Sequence, residues 1–320
     1  MSLTQDKNII KSQKLLDDKQ YYEAHQLLRT IANRYVKACE YVSCIDMLYD
    51  ASKRFFKEGQ FASGSDLALY IVKVYNLMEL RPDTSSKTRL LDILYLYGSS
   101  EPTRKRFINE ILAWSSKWGE TSVGDADLHH NIGVLLAQEG NLFEAEKHLV
   151  LGTNESVKPL LDLLCDYFYE DDLYMAPFYA SRIVFPYLIL YNIASAIRGY
   201  RGIVHYLVEE RKVQTHTLSS SVADVILFPS LPLMNFLCFL ILTCQRGTVD
   251  LFHTLKAHYT DALKKAPSWQ PSLEKIGHLY FNIPVQHSSK NIWNDLMNQL
   301  FINQSDMPGD LPSNLHDTLD

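Results

Sequence analysis

The residues of this chain that could do chemistry are few, and their spacing argues against each in turn. His129 and His130 are adjacent, so on a helix they point about 100° apart and cannot chelate one metal together; His129 reads as a packed histidine at a helix start. Ser63-Gly64-Ser65-Asp66 has the small and polar residues of a phosphate-cradling loop. It fits better as a tight inter-helix turn relieved by Gly64, with Ser63 or Ser65 as an N-cap. Glu170-Asp171-Asp172 is an acidic run without the spaced oxygens and turn glycine of a calcium loop, and it reads as a solvated corner. No P-loop, G-x-S-x-G or H-E-x-x-H motif is present. The sequence therefore calls for no enzyme activity, no metal and no cofactor. One constellation survives. His25, Arg29 and Asn33 are spaced i, i+4, i+8 and line one side of a helix, with Tyr22 beside them one turn earlier than Gln26. Tyr, His and Arg on an open face are anchor types for a protein partner; the other reading is an ordinary solvated face.

The element that must carry these residues is the stretch from Gln20 to Asn76. Its periodicity predicts three helices beginning at Tyr21, Tyr41 and Phe61, twenty residues apart. The first has an apolar stripe of Ala24, Leu27, Leu28, Ile31, Ala32, Tyr35 and Val36, opposite the polar row. The second repeats it with Tyr41, Ile45, Leu48, Ser52 and Phe55, and the third with Leu67, Tyr70, Ile71, Val74 and Tyr75. Such helices bury their stripes only by stacking on one another. The predicted fold class is therefore all-α, a right-handed α-solenoid of TPR-like antiparallel helix pairs.

Further helices are expected at Ile9–Leu16, at Thr88–Tyr97 after an Arg81–Ser85 turn, and from Glu101-Pro102 onward. Asp125–Gln138 and Leu142–Val150 form a pair split by Gly140. From Pro159 the helices grow apolar on more sides, as they do deep in a bundle or against a second chain. Arg211–Ser230 is the exception. Its β-branched residues flank a serine cluster, which predicts either a short β-hairpin near 213–228 or a plain loop. Leu231–Gln245, Thr248–Lys265, Gln270–Phe281 and Asn291–Ile302 complete the expected helices. The segment 303–320 has four Asp, two Pro and no Lys or Arg, and is expected to be a disordered acidic tail.

Charge is uneven. Residues 1–120 hold 18 Lys+Arg against 15 Asp+Glu, and residues 121–320 hold 13 against 22, giving the net −6 of the 320-residue chain. Neither half has a nucleic-acid footprint; two partners, or merely solvated faces, fit the asymmetry. The five cysteines are scattered within helical patterns and suggest neither disulfides nor zinc. The longest apolar run, Leu231–Thr243, falls short of the ~18–20 residues of a membrane span, and the start of the chain has no signal-peptide pattern. A cytoplasmic protein with no membrane insertion is expected.

The stretch Gln20–Asn76 also carries a resemblance. Its EAHQ, Arg29, RY, GQ and Asp66-Leu67 are followed by WSSKWG at Trp114, LHHNIG at Leu128, GNLFEAEKHLVLGT from Gly140, LPLMNFLCFLIL from Leu231 and IGHLYFNIP at Ile276. In this order they resemble the fourth-factor family of the guided-entry pathway for tail-anchored membrane proteins. The resemblance implies a non-catalytic scaffold. Its N-terminal half, 1–152, would bind the pathway's targeting ATPase, a homodimer, through Tyr22, His25, Arg29, Arg34 and Asp66. Its C-terminal half, 153–302, would clasp a ubiquitin-like partner subunit beside Val225, Leu227, Phe228, Leu233 and Phe236, with an indirect link to a co-chaperone. The apolar helix from Leu231 leaves two readings open: a groove for that partner, or the solenoid's own core. A helical-repeat subunit of another assembly is the alternative function; the winged-helix pattern that usually ends such subunits is not seen after Gln270.

Overall fold

The computed structural model describes residues 3–219 and 224–284. The expected helix at 291–302 and the acidic tail at 303–320 lie outside the described residues. The chain divides into two compact units. One runs to Gly140 and adds Leu151–Thr153; the other takes Asn141–Val150 and the residues from Asn154 onward.

The first unit contains α1 (Leu3–Asp17), α2 (Tyr21–Lys37), α3 (Tyr41–Lys57), α4 (Phe61–Leu77), α5 (Thr84–Leu94), α6 (Pro102–Trp118) and α7 (Ala126–Gln138). The three helices of the twenty-residue repeat start at the expected residues. Their spacing is enforced by one turn used four times. Lys19, Cys39, Gly59 and Glu79 all lie in the left-handed region, at φ 57°, 57°, 71° and 53°. After each, the next amide bonds back to the helix it leaves: Gln20 to Leu15, Glu40 to Tyr35, Gln60 to Phe55 and Leu80 to Tyr75, at 2.8–3.0 Å. This is the Schellman closure, which satisfies the last carbonyls and reverses the chain. The stripes then pack as their periodicity requires. Leu28, Ile31 and Tyr35 of α2, Leu48 and Phe55 of α3, and Leu67, Ile71 and Tyr75 of α4 are all buried.

Two layers result, with α2, α4 and α6 in one and α3, α5 and α7 in the other. Two local expectations are corrected. Gly64 is not in a turn but in the first helical turn of α4, where a Cβ would lie 3.0 Å from the Phe56 ring. Helix α5 begins at Thr84, earlier than its apolar pattern, because Asp83 and Ser86 form a reciprocal capping box.

The second unit contains α8 (Leu142–Leu151), α9 (Val157–Phe168), α10 (Ala176–Ile189), α11 (Ile193–Glu209), β1 (His216–Ser219), β2 (Asp224–Leu227), α12 (Pro232–Arg246), α13 (Val249–His258), α14 (Thr260–Leu263) and α15 (Gln270–Phe281). Helix α10 is buried on nearly every side, and α9, α11, α12 and α15 all pack on it. Helix α15 reaches back across the chain to do so. The Tyr280 hydroxyl donates to the Leu188 carbonyl at 2.8 Å, and that of Tyr191 to Leu279 at 3.0 Å. Trp269 fills the space between Phe178, Phe185 and Phe236. The expected single helix over 248–265 breaks at Tyr259, whose ring packs against Phe236.

The hairpin is present. β1 and β2 pair antiparallel, with His216 opposite Leu227 and Leu218 opposite Val225. Asn235, the polar residue in the apolar α12, accepts from the Phe228 amide at 2.8 Å and donates to the Phe228 carbonyl at 3.0 Å. One side chain thus replaces the ladder bonds lost where the hairpin ends.

Candidate partner-docking surfaces

The polar row on α2 meets a second row on α4. Asp66, Tyr70 and Lys73 are spaced i, i+4, i+7, so they too share a helix face. The His25 Nε2 donates to Asp66 Oδ2 at 2.8 Å, and Arg29 Nε lies 3.4 Å from the same oxygen. The Arg29 guanidinium sits 4.5 Å over the Tyr70 ring. The Tyr70 hydroxyl donates to Asn33 Oδ1 at 2.7 Å. The His25 ring edge also packs against Phe55 from α3.

Of the five residues expected here, His25, Arg29 and Asp66 are thus brought together. Tyr22 is 70% exposed on the first turn of α2 and accepts from the Gln26 amide at 2.7 Å. Arg34 is exposed near the other end of α2 and joins none of these contacts. Tyr70 belongs to the cluster although its apolar spacing marks it only as core. The parallel spacing of His25-Arg29 and Asp66-Tyr70 was the available signal.

Charged pairs this open to solvent contribute little to stability, about 0–1 kcal/mol each. Their consequence is order. Arg29 is held between a carboxylate and an aromatic face, so a partner meets a fixed guanidinium and not a mobile one.

The second candidate surface is the hairpin. Leu218, Val225 and Leu227 lie on one face of the two strands, because register and period place them there. Leu218 is 54% exposed, while Val225 and Leu227 are half-buried. Phe228, Leu233 and Phe236 are buried within the chain itself. The apolar run of α12 is covered by α10, α11, α13, α14 and β2. Of the five residues expected beside this partner, two therefore stand on the open strand face and three form the packing beneath it.

Of the residues first tested for chemistry, His129 has a structural role. His129 is buried, and its Nε2 donates to the Val123 carbonyl at 3.1 Å, which ties down the loop before α7. Burial pushes its pKa below the ordinary value. Burial likewise pushes the Cys44, Cys165 and Cys244 thiols up to about 12. Among the described residues, no group of three or more His, Cys, Asp and Glu could hold a metal ion. No described helix is long and apolar enough to cross a membrane.

Stacked antiparallel helix pairs carrying ordered polar and apolar faces define a helical-repeat scaffold protein. Residues 38–301 match the family model described as "GET4: Golgi to ER traffic protein 4". The Golgi to ER traffic protein 4 of Aspergillus fumigatus is 37% identical over 314 residues, covering 94% of this chain and 91% of that protein. That of Schizosaccharomyces pombe is 31% identical over 280 residues, covering 88% and 90%. The crystal structure of C. therm. Get4 superposes with a TM-score of 0.83 at 35% identity, covering 99% of each chain. The chain belongs to the Golgi to ER traffic protein 4 family, a family of non-catalytic scaffolds in the targeting of tail-anchored proteins to the ER.

Proposed function

We propose that the chain bridges two proteins of the targeting pathway. The targeting ATPase homodimer docks on the α2–α4 face, over His25, Arg29 and Asp66, with Tyr22 and Arg34 flanking the cluster along α2. A ubiquitin-like partner docks in the second half of the chain, along the hairpin face of Val225 and Leu227, above Phe228, Leu233 and Phe236. The partner links the chain indirectly to the co-chaperone that hands over the substrate. Bridging raises the effective concentration of ATPase near substrate without new chemistry.

The observation that carries this reading is the ordered cluster on α2 and α4. It unites the residue types of a binding hot spot, and it is too exposed to be explained by stability. The test is co-purification of the ATPase with the full chain and with Arg29→Glu. The charge reversal sets a second carboxylate against Asp66 and is expected to weaken binding by about 2 kcal/mol, as for a hot spot. Helical content stays unchanged. Unaltered affinity in both this variant and His25→Ala would refute the assignment.

A further inference from the structure

The sequence from Pro159 to Ser181 holds five carboxylates (Asp162, Asp166, Glu170, Asp171 and Asp172) and no Lys or Arg. The turn between α9 and α10 lies in the middle of it and carries large exposed side chains. Tyr169 is 72% exposed, Tyr174 65%, Tyr167 41% and Leu173 39%. Four such residues within eight positions are a local apolar patch, not the scattered exposure common on any surface.

The turn is held rigidly. Arg211 donates to the carbonyls of Phe168, Tyr169 and Asp171 at 3.0–3.2 Å, and its guanidinium sits 4.9 Å over the Phe168 ring. The Tyr179 hydroxyl donates to Asp171 at 2.6 Å. A guanidinium spent on three backbone carbonyls leaves the neighbouring carboxylates uncompensated. The other cations near the turn in sequence are engaged too: Lys158 with Asp162, Arg182 with Glu146, and Lys212 with Glu209. Asp166, Glu170 and Asp172 are exposed and take part in no ion pair among the described residues. Asp172 precedes a 3-10 turn, yet its side chain caps nothing.

From this arrangement we infer that the α9–α10 turn is a docking site for a basic, extended segment of a partner protein, with arginine or lysine side chains over Tyr169 and Tyr174. Charge complementarity selects this occupant. Exposed aromatic rings close in sequence to unpaired carboxylates attract a cation by its charge and by the ring quadrupole together. They repel an acidic peptide or an anionic lipid surface. A preformed turn gives up little conformational freedom on binding. The site lies apart in sequence from both surfaces proposed above.

The probe is a fluorescein-labelled peptide of repeated Arg-Leu-Lys, titrated with the full chain and followed by fluorescence anisotropy. The acidic Glu-Leu-Glu counterpart serves as the control. Tyr169→Ser with Tyr174→Ser is expected to weaken the basic peptide about tenfold, in the range of paired aromatic anchors. Glu170→Gln with Asp172→Asn is expected to weaken it several-fold at low salt and little at high salt. Tyr169→Phe with Tyr174→Phe keeps the binding, because the ring and not the hydroxyl is the contact. Circular dichroism melting confirms that each variant is folded, and the neutralised pair keeps the test open if the serine pair is not. Equal affinity for the acidic counterpart, or unchanged affinity in both the serine and the neutralised variants, would overturn the site.

Discussion

At the residue scale, His129 shows how a reactive side chain becomes structural. Its neutral ring is buried and spends its proton on the Val123 carbonyl. Because burial lowers its folded pKa, the unfolded chain binds a proton first as pH falls. The contribution to stability is therefore complete above the unfolded value near 6.5 and declines below it, until the folded ring also titrates. Thermal melts from pH 8 to pH 5.5 are expected to show a steeper fall for the native chain than for His129→Gln; parallel curves would contradict this. Glu146 is a harsher case. It is 1% exposed and bonded through both oxygens to Arg182, itself 10% exposed. Glu146→Leu leaves a buried guanidinium without its partner, and the expected loss is about 3–5 kcal/mol in chemical denaturation. The pairing of two residues 36 apart was not legible in the sequence, since nothing local marks which carboxylate an arginine will meet. The packing of His129 was legible, because its place at a helix start marked it as a packed residue.

At the element scale, the twenty-residue repeat was legible to the residue, because stripe and turn recur together. The turns make a prediction of their own. Gly59 has φ 71° and open space where a Cβ would stand, so Gly59→Ala costs only the strain of a Cβ against its own backbone in the left-handed region, about 1 kcal/mol. At Gly199 on α11 the backbone is ordinary but a Cβ would fall 2.1 Å from the Cγ2 of Ile183 on α10. There Gly199→Ala must push two helices apart, at about 1–3 kcal/mol or more. Denaturation midpoints should rank the two variants in that order, and the reverse ranking would mean that the α10–α11 packing yields easily. The hairpin was half legible. Its β-branched residues and serines marked a change of structure, but a four-residue strand carries too little pattern to separate from a loop. What fixes it is Asn235, seven residues beyond Phe228 and on a different element. The return of α15 onto α10 was not legible at all, because stripe periodicity reports that a face is buried and not which helix buries it.

At the scale of the whole molecule, the two proposed surfaces belong to separate compact units, the α2–α4 cluster to one and the hairpin to the other. Each unit has its own buried core, and each of the two lesions is confined to the surface of one unit. Two lesions are then expected to act singly. Arg29→Glu should lose the ATPase and keep the ubiquitin-like partner. Replacing residues 216–227 by a Gly-Ser linker of equal length should do the opposite. The replacement must stop short of Phe228, because that ring is fully buried and its backbone is bonded to Asn235. A partner that binds the folded chain also raises its melting temperature by mass action. The ubiquitin-like partner should therefore shift the melt of the native chain and of Arg29→Glu alike, and leave that of the linker variant where it was. If the linker variant stays folded and still co-purifies with that partner at full yield, the strand face of Val225 and Leu227 is not its docking surface. If Arg29→Glu loses both proteins at once, the two arms are not independent and the chain is no simple bridge.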